Sequence, residues 1–134
     1  AFDFMTFCLR NPKPCPLIEV LDPGNPEPQN VAPGADVRTD IPQYRVFRNG
    51  VFSEDVHDIT ALWTRDMVGF LLGCSFSWEG LLKQAHCPPR HLQQGCNVPM
   101  FVTNRKNEAA GIFQGNLVVS MRPYRHDQFE TVTE

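Results

Sequence analysis

The chain has 134 residues, 42% of them hydrophobic and 20% charged, with a formal net charge of −3 and a sequence pI of about 5.8. That length and balance fit one compact domain spanning 1–134, and the absence of a basic stripe argues against a nucleic-acid partner. No apolar run approaches the roughly 20 residues of a membrane span, so no membrane partner is expected.

The opening Ala1-Phe2-Asp3-Phe4 lacks the basic, apolar, small-residue order of a signal peptide. A start without methionine reads as an excised piece of a longer protein. Five cysteines, Cys8, Cys15, Cys74, Cys87 and Cys96, are odd in number and irregular in spacing, which argues against a disulfide framework. They point to a reducing, intracellular setting, either cytoplasm or mitochondrial matrix.

Taken in chain order, Phe2 to Leu9 places apolar residues at helical spacing and stops at Asn11, because Pro12 disfavours helical geometry before it. Pro12 to Pro16 is a stiff extended segment, and Leu17 to Leu21 a short strand. Asp22 to Asp36, rich in Pro, Gly and Asn, is a long loop, read as either a solvated excursion or a functional one. Tyr44 to Arg48, then Asn49-Gly50, then Val51-Phe52 marks a two-residue hairpin, since both turn residues must tolerate positive φ.

Asp58 is expected to cap a helix running to Leu71, with Ile59, Leu62, Trp63, Met67, Phe70 and Leu71 on its buried face and Gly73 at its end. Ser77 is expected to cap a second helix, which Cys87-Pro88-Pro89 stops. After a loop over 90–97, Val98 to Thr103 and Leu117 to Met121 read as strands flanking a polar loop over 104–111, and the polar tail from His126 frays. The expected fold is α+β: helices packed on one mostly antiparallel sheet, a two-layer sandwich.

Gly73-Cys74-Ser75-Phe76-Ser77-Trp78-Glu79 carries the most chemistry. Between two helices it reads as a tight turn whose free amides, at the start of the second helix, favour carboxylates or phosphates.

Several runs together resemble one family. They are Arg10-Asn11-Pro12-Lys13-Pro14-Cys15-Pro16-Leu17, Arg38-Thr39-Asp40-Ile41-Pro42, Gly73-Cys74-Ser75-Phe76-Ser77, Arg90-His91, Asn97-Val98-Pro99-Met100 and Leu117-Val118-Val119-Ser120-Met121-Arg122-Pro123. In this order they resemble the D-glutamate cyclase family, whose bacterial members often carry a hydro-lyase label. The resemblance covers nearly the whole chain and implies that this stretch is the middle portion of a longer α+β protein. It implies the reversible dehydration of D-glutamate to 5-oxo-D-proline, hence a small carboxylate as partner and no cofactor. The chain departs from the family pattern near Asn104 to Ala110.

Cyclising glutamate requires a deprotonated amine, a protonated leaving oxygen, donors for the oxyanion and a cation holding the second carboxylate. Arg38 and Arg122 are candidate carboxylate clamps, or else structural ion pairs. Glu79 and Asp40 are candidate proton carriers. The alternatives are a first-turn helix charge for Glu79 and a turn hydrogen bond for Asp40. Ser75 and Ser77 can supply oxyanion donors or ordinary caps. Cys74 can form a thioester, although its continuation of the Phe70–Leu71 stripe favours a buried packing thiol. His91 is the best placed of the four histidines for proton transfer, with a structural role as the alternative, and Asn97 can bond substrate or a turn. His86, Cys87, His91 and Cys96 lie close in sequence without a zinc spacing, so no metal is expected.

Overall fold

A computed structural model describes residues 1–133. Its elements fall into two units, Leu17–Leu72 and the combination of Ala1–Pro16 with Gly73–Glu134.

In the Leu17–Leu72 unit, β1 (Leu17–Val20) pairs antiparallel with β4 (Phe70–Leu72), with Leu17 opposite Leu72 and Val20 opposite Phe70. Between them lies the hairpin of β2 (Tyr44–Arg48) and β3 (Val51–Val56). It turns where expected: Asn49 and Gly50 adopt φ of 52° and 77°, the left-handed pair that matches strand twist.

The helix expected from Asp58 to Leu71 does not form. Only a single 3-10 turn, Thr60–Leu62, follows Asp58, and the apolar run Phe70-Leu71-Leu72 is a strand. A short apolar run fits either state, and long-range partners decide it. Glu19 and Val20 of β1 pair with Leu71 and Phe70. Leu21 N–H donates to Gly69 O at 2.8 Å, and Trp63 Nε1 donates to Gly24 O at 3.0 Å. A Cβ on Gly69 would meet Leu21 Cδ1 at 2.7 Å, so glycine admits the close approach there.

The long loop is anchored rather than merely solvated. The carboxylate of Glu19, itself buried, accepts from the backbone N–H groups of Gln29 (2.8 Å), Asn30 (3.1 Å) and Val31 (3.1 Å), and from Asn30 Nδ2 (3.0 Å). Burial pushes this carboxyl up, but the donors of Val31, Asn30 and Gln29 outweigh it and hold Glu19 below its ordinary range. Pro28 within the loop is fully buried.

In the other unit, α1 (Phe2–Arg10) ends at Asn11 as the sequence predicts. Asn11 binds its helix to the distant segment at Glu108: Nδ2 donates to Phe7 O and Glu108 O, both at 2.8 Å, and Oδ1 accepts from Glu108 N–H at 2.9 Å. Phe4 packs against Phe113 with ring centroids 5.0 Å apart and the planes tilted by 57°. β5 (Met100–Lys106) pairs antiparallel with β6 (Asn116–Ser120), so strand continues into the segment read as loop. Helices α2 (Glu79–Gln84), α3 (Arg90–Gln93) and α4 (Phe129–Thr133) are short; α3 replaces part of the loop expected over 90–97, and α4 part of the frayed tail.

The class is α+β, and every strand pair is antiparallel. Among the described residues the strands form three two-stranded sheets where one sheet was expected.

Candidate active site

The stretch Gly73–Glu79 follows a strand, not a helix. Gly73 N–H donates to Pro16 O at 2.8 Å, and Ser75–Trp78 forms a 3-10 turn leading into α2. That turn changes the expected chemistry. The N–H of Ser77 donates to Cys74 O and that of Glu79 to Phe76 O, so the expected cluster of unpaired amides is partly consumed. Ser77 does not cap α2; its hydroxyl donates to Cys74 O at 2.7 Å. The Cys74 thiol is exposed, not packed, because the stripe it was expected to continue belongs to a strand.

What this stretch builds instead is a wall. A cavity of about 620 Å³ is lined by Cys74, Ser75, Ser77 and Trp78 on one side and by residues of β5 and β6, including Ser120, on the other. Lys13 is the one charged side chain lining it among the described residues.

Behind Ser75 and Ser120 lies Arg122, its side chain only 6% exposed. Its Nε and Nη2 converge on Glu79 Oε1 at 2.7 and 2.6 Å. Nη2 also donates to Ser75 Oγ at 3.2 Å, and Nη1 to Ser120 Oγ at 3.0 Å. The two hydroxyl oxygens are 3.4 Å apart. The guanidinium carbon sits 5.0 Å from the Trp78 ring centroid and 5.6 Å from that of Phe76, within cation–π range. One carboxylate, two hydroxyls and two aromatic rings thus hold this cation.

His91, also buried, brings Nε2 to 3.3 Å from the same Glu79 oxygen. The alignment is too poor for a hydrogen bond, and Nε2 has no other partner among the described residues. Tyr124 donates to Cys87 O at 3.2 Å, and burial pushes its hydroxyl above the ordinary tyrosine range.

Of the nine residues singled out by sequence, Glu79, Ser75, Arg122 and His91 therefore form one contiguous cluster, with Ser77 and Cys74 on the adjoining cavity wall. Asn97 accepts from the N–H of Val98 at 2.8 Å, a local turn contact. Arg38 and Asp40 belong to the Leu17–Leu72 unit. There Arg38 is engaged by Asp36, Nε to Oδ1 at 2.9 Å and Nη2 to Oδ2 at 2.6 Å. Asp40 Oδ2 accepts from Asp36 N–H at 2.8 Å, the turn bond that was the alternative for it. The hydrogen bonds from Arg38 hold the Asp36 carboxyl down at about 2.

Ser120 and Lys13 were not singled out by sequence. Ser120 lies inside one of the quoted runs, yet nothing local in a strand signals a partner 45 residues away. Among the described residues no group of three or more His, Cys, Asp or Glu side chains could hold a metal ion, and no helix is long and apolar enough to cross a membrane.

The α+β fold thus carries a hydroxyl-walled cavity backed by a buried guanidinium. Comparison with known proteins makes the assignment more specific. The family described as D-glutamate cyclase matches residues 68–134, and the chain belongs to that family. A protein of Natranaerobius thermophilus named "Putative hydro-lyase" is 57% identical over 92% of this chain and 47% of its own length. Proteins with the same hydro-lyase name from Geobacillus kaustophilus and Rubrobacter xylanophilus are 57% and 56% identical, over 94% and 96% of this chain and 48% and 49% of theirs. The chain spans about half the length of the curated relatives it matches.

Proposed function

We propose that this protein is a hydro-lyase of small carboxylates that interconverts D-glutamate with 5-oxo-D-proline and water. In the forward direction the amine nitrogen bonds to the side-chain carboxyl carbon, one carboxyl oxygen leaves with two protons as water, and a lactam remains. The reaction balances without an oxidant or reductant, so no cofactor is invoked. The observation that carries the reading is the cavity wall, in a chain of this family: two hydroxyls held by Arg122, with Lys13 on the lining, suit a bound carboxylate and the oxyanion that develops from it. The five free thiols support an intracellular compartment, cytoplasm or mitochondrial matrix.

A second reading, a small-anion-binding module without turnover, is favoured by one feature: the carboxylate of Glu79 is engaged by Arg122 rather than open to a substrate. Incubating the protein with D-glutamate and separately with 5-oxo-D-proline, followed by chiral chromatography, decides between them. Interconversion supports the first reading. Binding of either compound without interconversion refutes it and leaves the module. Dehydration of a different small acid, supplied in place of D-glutamate, keeps the reaction class and replaces the substrate.

A further inference from the structure

We propose that the hydroxyls of Ser75 and Ser120, oriented by the buried Arg122, form a paired donor site for one carboxylate, and that Glu79 is a positioning residue for that cation and not a proton carrier. The inference deepens the proposed function and rests on the same cavity.

A serine hydroxyl has one proton to give and two lone pairs to receive. Both oxygens here already receive an N–H from the same guanidinium, Ser75 from Nη2 at 3.2 Å and Ser120 from Nη1 at 3.0 Å. At 3.4 Å apart, at most one of the two can donate to the other. At least one O–H is therefore left to point away from Arg122, and both residues line the cavity. An acceptor arriving there meets a hydroxyl whose oxygen is already polarised by a cation, the arrangement in which hydrogen bonds reinforce one another.

Of the five N–H donors of Arg122, those of Nε and Nη2 are directed at Glu79 and Ser75 and one of the two on Nη1 at Ser120. Its side chain is 6% exposed and the cavity is lined by the two serines and not by Arg122, so the cation acts on a ligand through the hydroxyls. Glu79 in turn is 9% exposed and directs Oε1 at Arg122. Lys13, on the cavity lining without an ion pair among the described residues, supplies the net positive charge that an anion needs, since the Arg122–Glu79 pair is neutral overall.

The test uses isothermal titration of the 134-residue chain with glutarate, a dicarboxylate that cannot cyclise, and with 5-oxo-D-proline. Ser75→Ala and Ser120→Ala are each expected to weaken glutarate binding about tenfold, the usual scale for a hydrogen bond to a charged group. Ser120→Thr, which keeps the hydroxyl, restores it. Thermal melting of each variant confirms that the fold persists. Glu79→Ala, which frees Arg122, is expected to weaken glutarate binding as the serine variants do, whereas Glu79→Gln, which still offers Arg122 a carbonyl oxygen, recovers part of it and keeps both limbs of the pH–rate profile, as positioning without proton transfer requires. Wild-type glutarate affinity in folded Ser75→Ala/Ser120→Ala, or no glutarate binding by the wild-type chain, overturns the proposal. Glutarate binding that depends on the serines, together with no recognition of 5-oxo-D-proline, upholds the donor pair and removes the substrate reading instead.

Discussion

Replacing Arg122 by alanine is the sharpest perturbation the structure offers. The substitution strands the carboxylate of Glu79, 9% exposed, with only the poorly aligned His91 Nε2 at 3.3 Å. A charge-assisted hydrogen bond at 2.7 Å and an ion-pair contact at 2.6 Å disappear, and the Ser75 and Ser120 oxygens lose their shared donor. Breaking one side of a buried pair costs about 3–5 kcal/mol, because the remaining ion stays desolvated. That is a large share of a total stability of about 5–15 kcal/mol, and for a chain of this size it lowers the melting midpoint by roughly 10–20 °C. Urea denaturation of wild type and Arg122→Ala measures it directly. The double variant Glu79→Leu/Arg122→Met is expected to recover most of the loss, since apolar replacement of a whole buried pair is tolerated better than half of it. Arg125→Ala serves as control: its pair with Asp127 has a similar distance, 2.9 Å, but side chains 81% and 61% exposed, and it should change little. An Arg122→Ala protein within about 1 kcal/mol of wild type would refute the reasoning, since that is the scale of an exposed pair.

Two further outcomes follow from the other unit and from the thiols. Asp36, held down at about 2 by Arg38, contributes stability that is present above the ordinary carboxylate pKa of about 3.9 and is lost as pH falls toward its folded value. Carbon-detected titration should give a midpoint near that value in wild type, and Arg38→Ala should raise it toward the ordinary range. An unchanged midpoint would exclude Arg38 as the cause. Brief alkylation of the native protein followed by mass spectrometry should modify Cys74 and Cys96 and spare Cys8 and Cys87, following their exposure. Protection of Cys74 would restore it to the packed position that the sequence suggested.

How legible the molecule was depended on the range of the interactions that decide each part. Helix α1 and the turn at Asn49-Gly50 follow from neighbours within a few residues, and both form where the sequence predicts. The segment from Asp58 to Leu71 has helical spacing, but its backbone partners lie far back in the chain: Leu21 on Gly69, Val20 on Phe70, Glu19 on Leu71. No local periodicity encodes that competition. The candidate site divides the same way. Glu79, Ser75, Arg122 and His91 stood out by residue type and run, and the fold gathers them. That the Arg122 charge would face Glu79 and two hydroxyls rather than a ligand depends on β6 ending beside the Ser75 turn, which spacing alone does not reveal. Arg38 looked equally suited to clamp an acid, yet its near neighbour Asp36 already occupies the guanidinium fork.

The carboxylate of Glu19 has a reach beyond its own strand. By gathering three consecutive amides at 29–31, it ties a proline- and glycine-rich excursion to the ladder made by β1 and β4. Such a segment would otherwise fray residue by residue; here its opening requires the ladder's own side chain to let go. The three amides let go of one carboxylate together, so residues 29–31 open as a set and not singly.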